Sequence, residues 1–148
     1  MEPCHDHWIV AKHILRYLPG TIHHCLKYDG KEVKLTSFTD SDWGGNETNG
    51  RSTTSGCFSL ISWMSRKQDP VALCSAKAKY IAACEAGKEV VWLRKLLADL
   101  FGKLLDPTVI NCDNQSNIKM FEDLIFHASM KHINNKCHYI RSLVQYGS

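Results

Sequence analysis

A long helical segment between two strand-like runs is the feature that most constrains the fold of this chain. Apolar side chains recur at helical spacing between residues 75 and 100, which predicts one long helix. The strand-like run at 35–38 precedes this helix and leads to Asp40, and the apolar run at 109–112, predicted to be a buried strand, leads to Asp113. Strands followed by alternating helices and strands favour an α/β fold in which helices pack on a mixed sheet.

The first turns of the predicted helix carry bases where the flanking aspartates suggest an acid. Two strand-end aspartates and an acid near a helix start could hold two divalent cations, because hard cations prefer carboxylate oxygens. The helix begins Ser-Ala-Lys-Ala-Lys-Tyr, so Lys77 and Lys79 occupy its first two turns. The surrounding pattern is typical of a nuclease, but this segment opposes metal binding.

The composition of the chain limits which classes of protein it can belong to. A chain of 148 residues with 44% hydrophobic and 22% charged residues is ordinary for a globular domain with a real core. The net charge of +3 permits a nucleic-acid partner without arguing for one. The seven cysteines form no Cys-x-x-Cys pair, the N-terminus has no signal pattern, and no apolar run reaches the ~20 residues of a membrane span. We therefore expect an intracellular protein, in the cytoplasm or nucleus, without membrane association.

The remaining elements follow from periodicity and turn signals. Residues 7–18 have the spacing of an amphipathic helix, which Pro19 and Gly20 should end. The other predicted elements are strands at 26–28, 35–39, 57–63 and 71–74, and helices at 115–121 and 132–146.

Several short motifs occur along the chain in a fixed order. They are Asp-Ser-Asp-Trp-Gly-Gly at 40–45, Ser-Gly at 55–56 after Arg51, Val-Trp-Leu-Arg at 91–94, Cys-Asp-Asn-Gln-Ser at 112–116, Lys-His-Ile at 131–133 and His-Tyr-Ile-Arg at 138–141. On these residues the chain resembles the ribonuclease H region at the C-terminal end of copia-type LTR-retrotransposon Pol polyproteins. The resemblance implies a ribonuclease H-like mixed sheet with flanking helices for residues 31–148. It also implies that residues 1–30 are a helix and hairpin similar to the end of the reverse-transcriptase connection, in one folded unit with the rest.

The departures from this family concern its catalytic site. The family carries Glu at the positions of Lys77 and Lys79, and the second of these is its metal-binding acid. The chain ends at Ser148, before the fifth strand and the last helix of the family, and that helix brings the fourth catalytic Asp. The resemblance therefore leaves Asp40 and Asp113 as the remnant of the catalytic, metal-binding acids. A glycine-rich hairpin turn, expected between residues 60 and 61, is also missing, so the resemblance implies that residues 59–62 join two strands without turn chemistry.

The charge change at position 79 should weaken metal binding strongly. Unit charges ~4 Å apart repel by about 4 kcal/mol at intermediate dielectric, and a divalent ion roughly doubles that repulsion. We therefore expect an Asp40–Lys79–Asp113 ion cluster in place of the metal ions. Asp40 and Asp113 could instead be strand-end turn formers, and Lys79 a solvated helix residue.

Five residues are candidates for contacts with nucleic acid. Arg51, Lys77 and Lys79 could neutralise phosphates, and Asn114 and Ser116 could bind phosphate or merely cap the short helix that follows them. Asp42 is expected to be a loop hydrogen-bonder rather than a ligand.

These observations predict a degenerate or domesticated ribonuclease H-like domain without nuclease activity. It would act as a binder of RNA/DNA hybrid or other nucleic acid, or as a protein-interaction module. The alternative is a weakly active hybrid endonuclease, which would need Mg²⁺ or Mn²⁺; no other cofactor is expected. Because the strand at 109–112 would lack its outer neighbour, we also expect a homodimer or complex through this open sheet edge.

Overall fold

The structure, a computed structural model, divides the chain into two compact units, Met1–Glu32 and Val33–Ser148. It describes residues 3–25, 34–59, 61–102, 106–122, 139–140 and 142–144. The first unit contains helix α1 (His5–Gly20), and the second contains β1 (Thr36–Ser41), β2 (Thr53–Phe58), β3 (Ser62–Lys67), α2 (Ser75–Phe101), β4 (Val109–Cys112) and α3 (Gln115–Glu122). Within the described residues, no helix is both long and apolar enough to cross a membrane.

Helix α1 confirms the predicted N-terminal helix but runs further at both ends. The Cys4 backbone N–H donates to His7 Nδ1 at 2.9 Å, which satisfies one donor at the helix start. Pro19 lies inside the last turn, and the helix ends at Gly20, where the Thr21 backbone N–H bonds to the Leu18 carbonyl at 3.1 Å. The expectation that Pro19 and Gly20 would lie beyond the helix was therefore wrong by two residues. The predicted strand at 26–28 lies outside the described residues.

The second unit is built on a mixed four-stranded sheet with the order β3-β2-β1-β4. β1 pairs antiparallel with β2, and β2 pairs antiparallel with β3. β4 follows helix α2 in the chain and pairs parallel with β1. This arrangement confirms a mixed α/β sheet with flanking helices and is compatible with a ribonuclease H-like fold.

Helix α2 covers one face of the sheet and supplies most of the core. Its bounds, Ser75–Phe101, agree with the predicted helix at 75–100, and Gly102 closes it in the left-handed conformation with φ of 62°. The main buried cluster comprises Leu35, Phe58, Ala86, Val90, Leu93 and Leu97. The inward side chains of β1 are small and polar, and the buried face of α2 beside them is rich in alanine.

A tight connection joins β2 to β3. The single strand predicted from the pattern at 57–63 was therefore wrong, and the two strands that the resemblance implied are present. β2 ends at Phe58 and β3 begins at Ser62. Ser59 takes a positive φ of 39°, a conformation that usually favours glycine. Its hydroxyl donates to the Thr36 carbonyl at 2.9 Å and accepts from the Thr36 N–H, which stabilises the turn without a glycine.

Residues 71–74 form an irregular approach to α2, so the strand predicted there was also wrong. Pro70 cannot donate to a strand ladder. The carbonyl of Ala72 accepts instead from the indole Nε1 of Trp43 at 3.1 Å, and the Ala72 side chain is buried.

β4 is present at the predicted residues, but the prediction that it is buried was wrong. Val109 is 54% exposed, and burial alternates along the strand. The reason is its place at the edge of the described sheet, where only one side and one face are covered. Of the helix predicted at 132–146, only 139–140 and 142–144 fall within the described residues.

Near the C-terminus, Ile140 packs directly against the backbone of α2 at Gly87. A Cβ added at Gly87 would lie 2.6 Å from Ile140 Cγ2. Ile140 is buried, and its β-branched side chain has little freedom to move away. Glycine at this position therefore permits the close approach of the two segments.

We predict that Gly87→Ala destabilises the protein by about 1–3 kcal/mol through overpacking, although alanine gains ~1 kcal/mol in helix propensity. In an Ile140→Ala background the same substitution should be neutral or stabilising. Urea unfolding of the four proteins in this cycle measures the coupling. An equal effect of Gly87→Ala in both backgrounds would contradict the contact.

Candidate functional site

Three charged side chains from three elements meet at one edge of the sheet. β1 and β4 are parallel neighbours, so their carboxyl ends lie side by side. Asp40 is near the end of β1, and Asp113 follows β4 directly. Lys79 lies in the second turn of α2, the helix that crosses between these strands.

The Lys79 ammonium contacts both carboxylates. Its Nζ lies 3.3 Å from Asp40 Oδ1, and it donates a hydrogen bond to Asp113 Oδ2. The Lys79 side chain is only 20% exposed, whereas Asp40 and Asp113 are 63% and 60% exposed. The ammonium is thus held under two carboxylates that are open to solvent, and the ion cluster expected from the sequence is present.

Protonation of Lys79 is reinforced by these contacts. The hydrogen bond to Asp113 raises the pKa of the ammonium, the contact with Asp40 adds to this rise, and partial burial opposes it. With one positive and two negative groups, the cluster carries a formal net charge of −1 at neutral pH.

The residues in this cluster do not fit a divalent metal ion. Mg²⁺ takes oxygen ligands, and an ammonium within contact distance of both carboxylates repels a cation and competes for the same oxygens. In the part of the chain that the structure describes, no group of three or more His, Cys, Asp or Glu side chains is placed to hold a metal.

Asn114 has a clear structural role beside this cluster. Its side-chain Oδ1 and its backbone carbonyl both accept from the Asn117 N–H, at 3.2 and 3.0 Å. Asn114 therefore caps helix α3, which is the structural alternative considered for it. Ser116 is exposed in the first turn of α3, and a phosphate contact for either residue stays a prediction.

Arg51 and Lys77 are not part of the ion cluster. Arg51 lies in the loop before β2, where its backbone N–H donates to Asn49 Oδ1 at 3.1 Å. Lys77 lies two positions before Lys79, so the two side chains leave the helix in different directions. No ion pair of the described residues includes Arg51 or Lys77. Their proposed contacts with phosphate are untested.

The loop after β1 is held in place by residues of the Asp-Ser-Asp-Trp motif. Asp42 Oδ1 accepts from the Thr53 N–H, and the Asp42 N–H donates to the Thr53 carbonyl at 3.2 Å. The expectation that Asp42 is a loop hydrogen-bonder is confirmed. Trp43 adds the bond to Ala72 that fixes the approach to α2.

Gln68 lies behind the cluster and was not predicted from the sequence. Its buried Nε2 donates to Thr54 Oγ1 at 3.0 Å and to the Ala78 carbonyl at 2.9 Å. It therefore ties the first turns of α2 to β2 at the residue before Lys79. No sequence signal identified it, because a glutamine after a strand is ordinary in an exposed loop.

Comparisons with known proteins place this chain among retrotransposon sequences. It is 41% identical over 147 residues, 97% of the chain, to the Retrovirus-related Pol polyprotein from transposon TNT 1-94 of Nicotiana tabacum. It is 36% identical over 151 residues, 99% of the chain, to the Retrovirus-related Pol polyprotein from transposon RE2 of Arabidopsis thaliana. The Secreted RxLR effector protein 161 of Plasmopara viticola is 40% identical over 97 residues, which are 62% of this chain and 68% of that protein.

The similarity to the two Pol polyproteins over nearly the whole chain supports a retrotransposon-derived protein. Its near full-length homologues are copia-type Pol polyproteins, as the resemblance predicted. The chain spans about a tenth of the length of these polyproteins, 11% and 10% for the two named above. No family model matches it, and no solved structure matches it.

We predict that Lys79→Met lowers the free energy of unfolding by about 1 kcal/mol at pH 7, because it removes two largely exposed ion pairs and leaves two carboxylates facing each other. The folded-state pKa of Lys79 is raised, so this stabilisation is complete below the unfolded-state pKa of about 10.4 and is lost as the pH rises through the folded-state value. Urea unfolding of wild type and variant should therefore show a difference at neutral pH that closes as the pH rises through the folded-state pKa of Lys79.

Lys77→Met is the matched control, since it removes a lysine two residues away that forms no ion pair with the described residues. Equal losses for the two variants, or a difference for Lys79→Met that stays constant with pH, would contradict the role of the cluster.

Proposed function

We propose that this chain is a ribonuclease H-like domain of retrotransposon origin that binds nucleic acid without cleaving it. The observation that carries the proposal is the Lys79 ammonium in contact with both Asp40 and Asp113. The mixed sheet, with acids at the ends of two parallel strands and a helix passing between them, supports the ribonuclease H-like assignment.

Loss of hydrolysis follows from the chemistry of the cluster. Two-metal hydrolysis needs cations that activate water and stabilise the leaving oxygen, and both tasks need carboxylate ligands free to bind metal. Lys79 occupies those carboxylates and has no lone pair to offer while protonated. A lysine ammonium with a raised pKa also cannot serve as a general base near neutral pH.

Retained binding of nucleic acid follows from the charge balance. Without metal, the two carboxylates alone would repel a phosphate backbone with two negative charges. The ammonium cancels one of these charges at neutral pH, so a phosphate approaches the site at lower electrostatic cost without any metal. Because Lys79 is engaged by the acids, Arg51 and Lys77 are the better candidates for direct phosphate contacts.

The direct test is an RNA/DNA hybrid cleavage assay with Mg²⁺ and with Mn²⁺, run beside calorimetric titration of each metal. The wild-type protein should show no cleavage above background and no measurable metal site. Lys79→Glu should gain a metal site, because it removes a cation and supplies a third oxygen ligand.

Lys77→Glu makes the same charge change two residues away and serves as the control, which should gain no site. Metal-dependent cleavage by the wild type that disappears in Asp40→Asn would overturn the proposal. Equal metal affinity for wild type and Lys79→Glu would also contradict it.

Binding of hybrid should depend on salt through these basic residues. Arg51→Ala and Lys77→Ala should each reduce the magnitude of the log–log salt slope by roughly 0.9 on duplex. Affinity should change little between hybrid sequences, because phosphate contacts position a protein without reading bases. Fluorescence anisotropy across a salt series measures both quantities. A slope unchanged in the double variant would show that these residues do not contact phosphate and would favour a protein-interaction module.

A further inference from the structure

The face of the sheet opposite α2 presents a row of side chains that the acidic cluster does not use. The strand register places Phe38 of β1 beside Cys57 of β2, and Cys57 beside Trp63 of β3. Phe38 is 56% exposed and Trp63 is 78% exposed, while Cys57 is half-buried between them. Two large aromatic rings therefore stand on one open surface of the sheet, in the same row.

The distance between these rings would allow each ring to stack with a different flat group. Neighbouring strands lie about 4.8 Å apart, so Phe38 and Trp63, separated by one strand, are roughly 10 Å apart. The small side chain of Cys57 leaves the space between them open. The neighbouring positions on the same face, Ser55 and Ser65, are paired with each other and are polar without charge.

Basic residues flank this aromatic row at opposite corners. Lys67 ends β3, four residues beyond Trp63 and on the same face by strand alternation. Lys34 precedes β1, four residues before Phe38. Both lysines are exposed, and no ion pair of the described residues includes either one.

Two acids lie near this face. Asp40 is two residues beyond Phe38 and is held by Lys79, and Asp42 accepts from the Thr53 N–H. The surface thus combines two exposed aromatic rings with two lysines that are available to phosphates.

We propose that this face binds single-stranded nucleic acid, with bases stacked on Phe38 and Trp63 and phosphates near Lys34 and Lys67. Aromatic platforms combined with basic side chains are the recognised chemistry for unpaired strands, and they tolerate any sequence because every base has a π-face. A duplex cannot use this surface in the same way, because its bases are stacked on each other.

A second copy of the chain fits the surface less well. It would cover the aromatic rings, but it would bring its own two unpaired lysines to a face that already carries two. The charge complementarity therefore favours a polyanion as the occupant.

Fluorescence anisotropy with a labelled oligothymidine tests this proposal. Binding should be salt-dependent, and Phe38→Leu and Trp63→Leu should each weaken it at least about fivefold, because stacking is worth roughly 1–3 kcal/mol per base. Leucine keeps the surface apolar, so a partner held by general hydrophobic burial would tolerate it. Trp63→Tyr should restore most of the affinity.

Trp92→Leu is the matched control, since Trp92 is also an exposed tryptophan, at 55%, but lies on α2. It should bind like the wild type. Absence of oligothymidine binding, or equal binding by wild type and the Phe38→Leu/Trp63→Leu double variant, would overturn the proposal. Light scattering that shows a dimer lost in the same double variant would assign the face to a second copy and would also overturn it.

Failure of this proposal can be distinguished from failure of the proposed hybrid binding. The double leucine variant should keep the hybrid affinity that depends on Arg51 and Lys77, while the Arg51→Ala/Lys77→Ala variant should keep most of its affinity for oligothymidine. Hybrid binding and single-strand binding can therefore be refuted independently of each other. Loss of both affinities in the leucine variant, with an unchanged circular dichroism spectrum, would contradict two separate surfaces.

Discussion

The contact of one ammonium with two carboxylates determines what this site can do. Lys79 meets Asp40 and Asp113 where two parallel strands end, and it binds both carboxylates in one ion cluster. The pairs are largely open to solvent, so they stabilise the fold only modestly. The ion pairs matter more for metal binding than for stability, because a fixed positive charge at contact distance opposes any second cation.

The fold positions Lys79 through the packing of α2. The alanine-rich face of the helix lies against the small polar side chains of β1, and Gln68 bonds to the Ala78 carbonyl immediately before Lys79. Further along, Gly87 admits Ile140 against the helix backbone. These contacts fix the rotation of α2, and that rotation aims position 79 at the two aspartates. A lysine can occupy position 79 without any change in the helix, because the side chain at this position projects from the edge of the core.

Long, periodic elements could be predicted from the sequence, and irregular connections could not. The bounds of α2 agreed with prediction because apolar side chains recur at helical spacing along a long segment and Gly102 is a clear stop. The pattern at 57–63 predicted one strand, whereas the resemblance implied two. The structure has two strands, and the Ser59 hydroxyl supports the turn between them. The strand predicted at 71–74 is absent. The Ala72 carbonyl accepts from Trp43, which is distant in the chain, so the sequence pattern could not reveal this contact. The apolar content of β4 predicted a buried strand, but burial also depends on which neighbours cover the strand.

Part of the site was also predictable. Asp40, Lys79 and Asp113 were chosen from motif order, and the structure brings their charged groups into contact. Gln68 was not found, because its role depends on a tertiary contact with α2. The exposed row of Phe38 and Trp63 also depends on strand register, which pairs residues far apart in the chain.

The central claim is that an ammonium stands where divalent cations would otherwise bind. A crystal structure grown in a high concentration of Mn²⁺, with anomalous diffraction recorded near the manganese edge, tests it most directly. We predict that Lys79 Nζ lies between the carboxylates of Asp40 and Asp113, with no anomalous peak at that position. An anomalous peak coordinated by both carboxylates, with the Lys79 side chain turned away, would contradict the account.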